Sequence, residues 1–219
     1  LKPEAIFLGH GHGDHADNAA YIAVKTGARI FGAEEHCNAM RGDANRIFGP
    51  GTEVECTSLT TLGSTPGTEV LDVDFLRPDI CITSFKHLHS GAAPLDPDFP
   101  QNLIRPVRDP RVDQLYPPQP PPTLDTRTVA GAGGAVSMFY QFTVGNFSFI
   151  WHDTNGPIKN FQTQLIPLLA SLPKADVELG SLVTTGEAIN GVRDIAMYIP
   201  IIKPKIFYGG HSDNFNIGA

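Results

Sequence analysis

The chain has 219 residues, 41% of them hydrophobic and 18% charged, an ordinary globular composition long enough to bury a sizeable core. Its formal net charge of -7 argues against a nucleic-acid partner, because proteins that hold a phosphate backbone generally carry a basic face. No stretch approaches the roughly 20 uninterrupted apolar residues that span a bilayer, so no transmembrane helix is expected.

The chain opens on a short apolar run, Ala5 to Leu8, closed by Gly9, the pattern of a buried strand giving way to a loop. That loop, His10-Gly11-His12-Gly13-Asp14-His15, is the most informative segment, because three imidazoles and a carboxylate crowd into it. Imidazole nitrogens and carboxylate oxygens are what divalent zinc and its neighbours accept, and the interleaved glycines let the backbone fold closely around an ion. An accidental surface cluster is the bland alternative. The spacing, at a strand-to-helix junction, is far more specific than a lone pair of histidines. A helix is predicted next over residues 19 to 25, capped by Asp17 or Asn18 and stopped by Thr26-Gly27.

Further along, residues 28 to 33 read as a strand and residues 34 to 40 as a short helix carrying His36 and Cys37. His36 lies outside any recognised motif and is expected to be partly exposed, its replacement by alanine leaving turnover nearly unchanged. Strands are predicted over 54 to 56, over 69 to 73 behind the turn Pro66-Gly67, and over 80 to 85, running into Lys86-His87-Leu88-His89. Between Pro94 and Pro122 lie ten of the nineteen prolines, a stretch that sustains neither helix nor central strand. It is read as an insertion, either a surface excursion in extended form or a wall over the site. In the second case Leu115 and Tyr116 offer apolar contacts to a substrate and Arg105, Arg108 or Arg111 meet its anion.

Regular structure then resumes. Residues 136 to 144 and 147 to 152 suggest a hairpin around Gly145-Asn146, apolar on both faces. Pro157 suits the first turn of a helix whose apolar face is Phe161, Leu165, Leu168, Leu169 and Leu172. Residues 176 to 179 suggest a strand, 192 to 202 a helix interrupted near Pro200, and 205 to 208 a final strand that leads into Gly209-Gly210-His211. Strands alternating with helices indicate sheets covered by helices, and the whole of 1 to 219 is read as one domain. Cys37, Cys56 and Cys81 are odd in number and lack Cys-x-x-Cys spacing, so buried free thiols are expected. The chain begins at Leu1, already on the brink of a strand, so upstream sequence is expected to be missing. Localisation is left open between the cytoplasm and an exported protein whose signal peptide has been removed.

The His-x-His-x-Asp-His run resembles the signature of the metallo-β-lactamase superfamily of hydrolases. The resemblance implies an αββα sandwich, in which early strands normally precede the first motif, and it asks for three further ligands in fixed order. His89 in Leu88-His89-Ser90-Gly91, Asp153 in Trp151-His152-Asp153-Thr154 and His211 in Gly209-Gly210-His211-Ser212 answer in that order. By resemblance His10, His12 and His89 hold one metal, Asp14, His15 and His211 a second, and Asp153 bridges the two, zinc being expected with manganese or iron as alternatives. Alternate residues of an extended segment point the same way, so His87 competes with His89 for the third-histidine position. If His89 is the ligand, His87 lies behind it or faces substrate. His152 is expected to point to the opposite side from Asp153 and to be packed and hydrogen-bonded.

The implied chemistry is hydrolysis of an ester, lactone or phosphodiester by a metal-bridging hydroxide, with Asp14 and Asp153 the catalytic carboxylates and a small molecule, an anion among the candidates, the substrate. Lys203-Pro204-Lys205-Ile206-Phe207 and Ala175-Asp176-Val177 resemble the branch of the superfamily that includes L-ascorbate-6-phosphate lactonase and N-acyl phosphatidylethanolamine phospholipase D. Redox di-iron proteins of the same fold and a catalytically silent scaffold are the alternatives. The former usually carry glutamate where His12 stands, and the latter have lost ligands that this chain keeps.

Overall fold

The structure is a computed structural model that describes residues 2–91, 93–99, 130–131, 134–182 and 192–211. Two sheets organise it. The smaller is parallel, in the order β1 (Ala5–Phe7), β2 (Arg29–Gly32), β3 (Cys56–Ser58). The larger runs β10 (Ile206–Gly210), β9 (Val177–Ser181), β8 (Phe147–Trp151), β7 (Gly134–Val144), β5 (Cys81–Leu88), β4 (Val70–Val73), with β6 (Ala130–Gly131) paired to β7. Its β4, β5, β7 and β8 are antiparallel neighbours, while β8, β9 and β10 run parallel.

Side-chain alternation in β7 shows how a strand that is apolar on both faces is used. Met138, Tyr140 and Phe142 enter the layer between the sheets, with Phe31, Val73 and Ile82. Phe139 points the other way, into a core with Phe85, Ile150, Leu165, Leu169, Ile195 and Tyr198. That second core lies under α4 (Ile158–Phe161), α5 (Leu165–Ser171) and α6 (Arg193–Ile202). A third apolar layer joins Leu8 and Ile30 to Ala19, Ala20 and Ala23 of α2 (Ala19–Thr26) and to Met40 and Ala44 of α3 (Glu34–Phe48). Three apolar layers between four tiers of elements make an αββα sandwich.

Several local expectations are met: α2 ends where Gly27 adopts a left-handed φ of 76°, and Gly145 turns the β7–β8 hairpin at φ 57°. Others are corrected. Helix α3 continues to Phe48 instead of ending at residue 40, because Met40, Asp43 and Ala44 keep one face buried through Gly42. The single helix expected after Pro157 is two short ones broken at Gln162, so Phe161 is exposed while Leu165 and Leu169 are buried. Helix α6 passes through Pro200 without interruption. Cys37 and Cys56 form a disulfide linking α3 to β3, and Cys81 is an exposed free thiol, so neither matches the expected buried free cysteines. The sequence periodicity carries no information on which cysteines meet across α3 and β3. Of the proline-rich segment only residues 94–99 are described, and Arg105, Arg108, Arg111, Leu115 and Tyr116 lie outside the described residues. Among the described residues no helix is long and apolar enough to cross a membrane.

Candidate metal centre

The histidine loop is delivered by β1, whose continuation crosses from the small sheet to the large one. Leu8 N–H donates to Phe31 O at 2.9 Å, Met138 N–H donates to Gly9 O at 2.6 Å, and His10 forms an isolated antiparallel bridge with Ser137. The Tyr140 hydroxyl secures the same crossing by donating to Leu8 O at 2.8 Å. Immediately after it, α1 (Gly13–Ala16) takes its first turn from His12, whose carbonyl accepts from His15 N–H and Ala16 N–H at 2.9 Å each. One helical turn separates His12 from His15, which brings both back toward His10.

The other members arrive from strand ends of the large sheet. Ile150 of β8 lies in the helix-side core and Trp151 packs against the inter-sheet core. The same alternation sends His152 to the helix side and Asp153 to the β1 side. Asp153 Oδ2 lies 2.9 Å from His10 Nδ1 and 3.0 Å from His15 Nδ1, and accepts from His10 backbone N–H at 3.2 Å. Gly9 is indispensable to this approach, since a Cβ there would overlap the Asp153 carboxylate. His89 stands with its ring centroid 4.6 Å from that of His10 and 4.7 Å from that of His12, and His10 Nε2 is 3.0 Å from His12 Nδ1. His211 follows β10 with a left-handed φ of 52° and sets its ring 4.9 Å from that of His15. Non-glycine residues hold such a conformation at a cost, and it concentrates at functional sites.

Two triads therefore have ligand atoms within 4.8 Å of one another: His10, His12 and His89, and His10, His15 and Asp153. Burial pushes the Asp153 carboxyl up, but the charges and hydrogen bonds of His10 and His15 outweigh it and hold the group well below the ordinary carboxylate range. Its Oδ1 is buried without a hydrogen-bond partner among the described residues. Burial, then the neighbouring His10, pushes His89 down to about 4. His89 Nδ1 donates to Ser90 O at 2.7 Å, so Nε2 keeps its lone pair, the arrangement of a ligating imidazole with an oriented outer nitrogen. Converging imidazoles, an ionised carboxylate with an idle oxygen and a backbone stripped of the one Cβ in the way fit divalent metal ions.

His87 does not reach this cluster. It is 2% exposed and packs against Phe139, His152 and Tyr198 beneath α6, so that of its two expected positions, behind His89 or facing substrate, its burial goes with the first. Alternation failed to separate it from His89 because β5 ends at Leu88, and beyond that point the chain turns. His36, expected to be partly exposed, is 1% exposed. Its Nδ1 accepts from Ala33 N–H at 3.2 Å and its Nε2 donates to Val136 O at 3.0 Å. Burial lowers its pKa to about 4, in keeping with a ring whose Nδ1 is already an acceptor. The side chain of Asp14 lies outside the described residues; its backbone belongs to α1. Sequence reasoning missed Gly9, whose role depends on a residue 144 positions away, and Glu178, which is buried against His152.

No family profile and no curated protein sequence matches the chain. Among solved structures it resembles Igni18, a metallo hydrolase from the archaeon Ignicoccus hospitalis, with TM-score 0.54 and 13% identity over 99% of this chain and 66% of that one. It also matches the short form of human tRNase Z (TM-score 0.48, 11% identity, 95% of this chain and 72% of that one). A third match is Zn(2+)-bound PqqB from Methylobacterium extorquens (TM-score 0.44, 14% identity, 85% and 53%). The chain thus spans just under two thirds of the length of the Igni18 chain. It has the layered α/β fold of the metallo-β-lactamase type.

Proposed function

We propose that this protein is a dinuclear metal-dependent hydrolase. The observation that carries the reading is the meeting of His10, His12, His15, His89, Asp153 and His211, drawn from four separate segments, at one end of the sandwich. His10, His12 and His89 would hold one ion, His15, His211 and Asp14 the other, and Asp153 would bridge them. Two divalent ions bound there, zinc with manganese or iron as alternatives, supply a hydroxide nucleophile near neutral pH and polarise the scissile carbonyl or phosphoryl group.

The protein's own contribution is to prepare the donors. Asp153 stays anionic well into acid, and His89 stays neutral down to about 4, so neither must lose a proton at neutral pH before binding a cation. A site of neutral imidazoles and two carboxylates leaves net positive charge when two divalent ions are present, which favours a small anionic substrate. The net charge of -7 weighs against a nucleic acid. Ester, lactone and phosphodiester substrates are the candidates. The last two are supported by the likeness of residues 203–207 and 175–177 to the lactonase and phospholipase D branch.

The test is elemental analysis of the purified protein, joined to a panel of esters, lactones and phosphodiesters. Two equivalents of metal and turnover are expected, with turnover falling by more than about 100-fold in Asp153→Ala, as for loss of a direct ligand. Full activity of that variant, or no metal uptake after reconstitution, would sink the reading.

A further inference from the structure

The helix-side face of the turn that carries Asp153 holds a second polar assembly, which the hydrolase reading leaves unused. His152 is 1% exposed and Glu178 is fully buried. His152 Nδ1 donates to the carbonyl of Thr154 at 3.2 Å, and its Nε2 lies 3.0 Å from Glu178 Oε1. The imidazole is sandwiched between Phe139, at 5.2 Å and 11° between planes, and Tyr198, at 5.3 Å and 27°. Gly180 makes room for it, since a Cβ there would sit 3.1 Å from the ring. Thr154 in turn accepts at Oγ1 from Ser90 N–H at 3.0 Å, one residue beyond His89. Asn155 Nδ2 donates to Ser181 O at the end of β9.

The geometry points to His152 and Glu178 as a positioning pair for the metal centre, a role that rests on the hydrolase reading above. By holding the Thr154 carbonyl on the helix side, His152 closes a turn two residues wide, which throws Asp153 toward Gly9 and His10. Through Thr154 Oγ1 the same clamp reaches the loop of His89. One buried imidazole therefore sets the position of two donors, and Glu178, anchored in β9, sets the position of the imidazole. The aromatic faces above and below leave the ring little freedom to swing. The pair touches no metal and no substrate, so its effect must pass through Asp153 and His89.

The decisive experiment titrates cobalt(II) into metal-free wild-type protein and into His152→Phe/Glu178→Leu, which removes both polar partners together and avoids an unpaired buried carboxylate. The double variant should fold, bind cobalt 10- to 100-fold more weakly, shift the visible absorption bands of the bound ion, and lose kcat with KM within about threefold of wild type. Glu178→Gln, which keeps the hydrogen bond, should restore the wild-type spectrum. A folded double variant with wild-type cobalt affinity and spectrum would overturn the inference. Should it fail to fold, Thr154→Val decides: a spectral shift supports the clamp, and an unchanged spectrum and affinity overturn it. Wild-type protein that takes up no cobalt overturns the hydrolase reading itself and this inference with it.

Discussion

The eight histidines of the chain fall into two groups that differ in what their ring nitrogens meet. His10, His12, His15, His89 and His211 crowd one another at the ends of β1, β5 and β10, with His10 Nε2 against His12 Nδ1 and the Nδ1 atoms of His10 and His15 against the Asp153 carboxylate. His36, His87 and His152 are each at most 2% exposed and lie inside the sandwich, among backbone carbonyls, aromatic rings and Glu178. Burial is therefore no guide to a ligating histidine here, since His10 at 3% is nearly as enclosed as they are. Separation comes from convergence. An imidazole that meets other electron-pair donors is poised to share a cation with them, whereas one that meets carbonyls and apolar rings is a structural donor or filler.

The comparison breaks most easily at Gly9, where the two sheets and the site touch. Gly9→Ala forces a methyl group into the Asp153 carboxylate. Metal affinity should fall by at least about 10-fold, while the fold loses only about 1–3 kcal/mol from overpacking. Isothermal titration with zinc beside urea unfolding of the metal-free protein would show both. Equal affinity would mean that Asp153 does not depend on that approach.

His36→Ala should do the reverse. It removes a buried ring and leaves Val136 O and Ala33 N–H without their partner, at a cost of about 2–4 kcal/mol, while folded protein keeps its metal stoichiometry. A variant as stable as wild type in chemical denaturation would mean that neither hydrogen bond of His36 supports the fold.

Acid should sharpen the contrast further. His36 and His89 sit at about 4 in the folded, metal-free protein against an ordinary 6.5. The unfolded chain therefore takes up these protons first, and the stabilisation is complete above about 6.5 and lost as pH falls toward about 4. For His36, almost wholly buried, the loss is about 3 kcal/mol at most. Urea midpoints measured between pH 7 and 4.5 should drop, and His36→Ala should flatten the slope. A parallel slope in that variant would assign the effect elsewhere.

The smallest effect is expected at His87, which has no hydrogen-bond partner among the described residues. His87→Leu should change stability by no more than about 1 kcal/mol and leave metal content unaltered, whereas His89→Ala should deplete the metal. Loss of metal in both would erase the boundary between the two groups.

Much of this is legible in the sequence for a local physical reason. The His-x-His-x-Asp-His run needs only a strand, a loop and one helical turn to gather its own members, and Ala5 to Leu8, the glycines and the α2 signals specify those within a few residues. Alternation carried on from β8, which ends at Trp151, also separates His152 from Asp153, because period two survives the first residues past that strand. After β5 it does not survive, and the choice between His87 and His89 is decided by the turn after Leu88. Contacts across the sandwich are beyond its reach altogether: Gly9 beneath Asp153, His36 under Val136, Cys37 against Cys56, and Glu178 behind His152. Each depends on which layers stack and in what register. Only the packing of two sheets into one body sets that, because no local pattern records the distance between residues far apart in the chain.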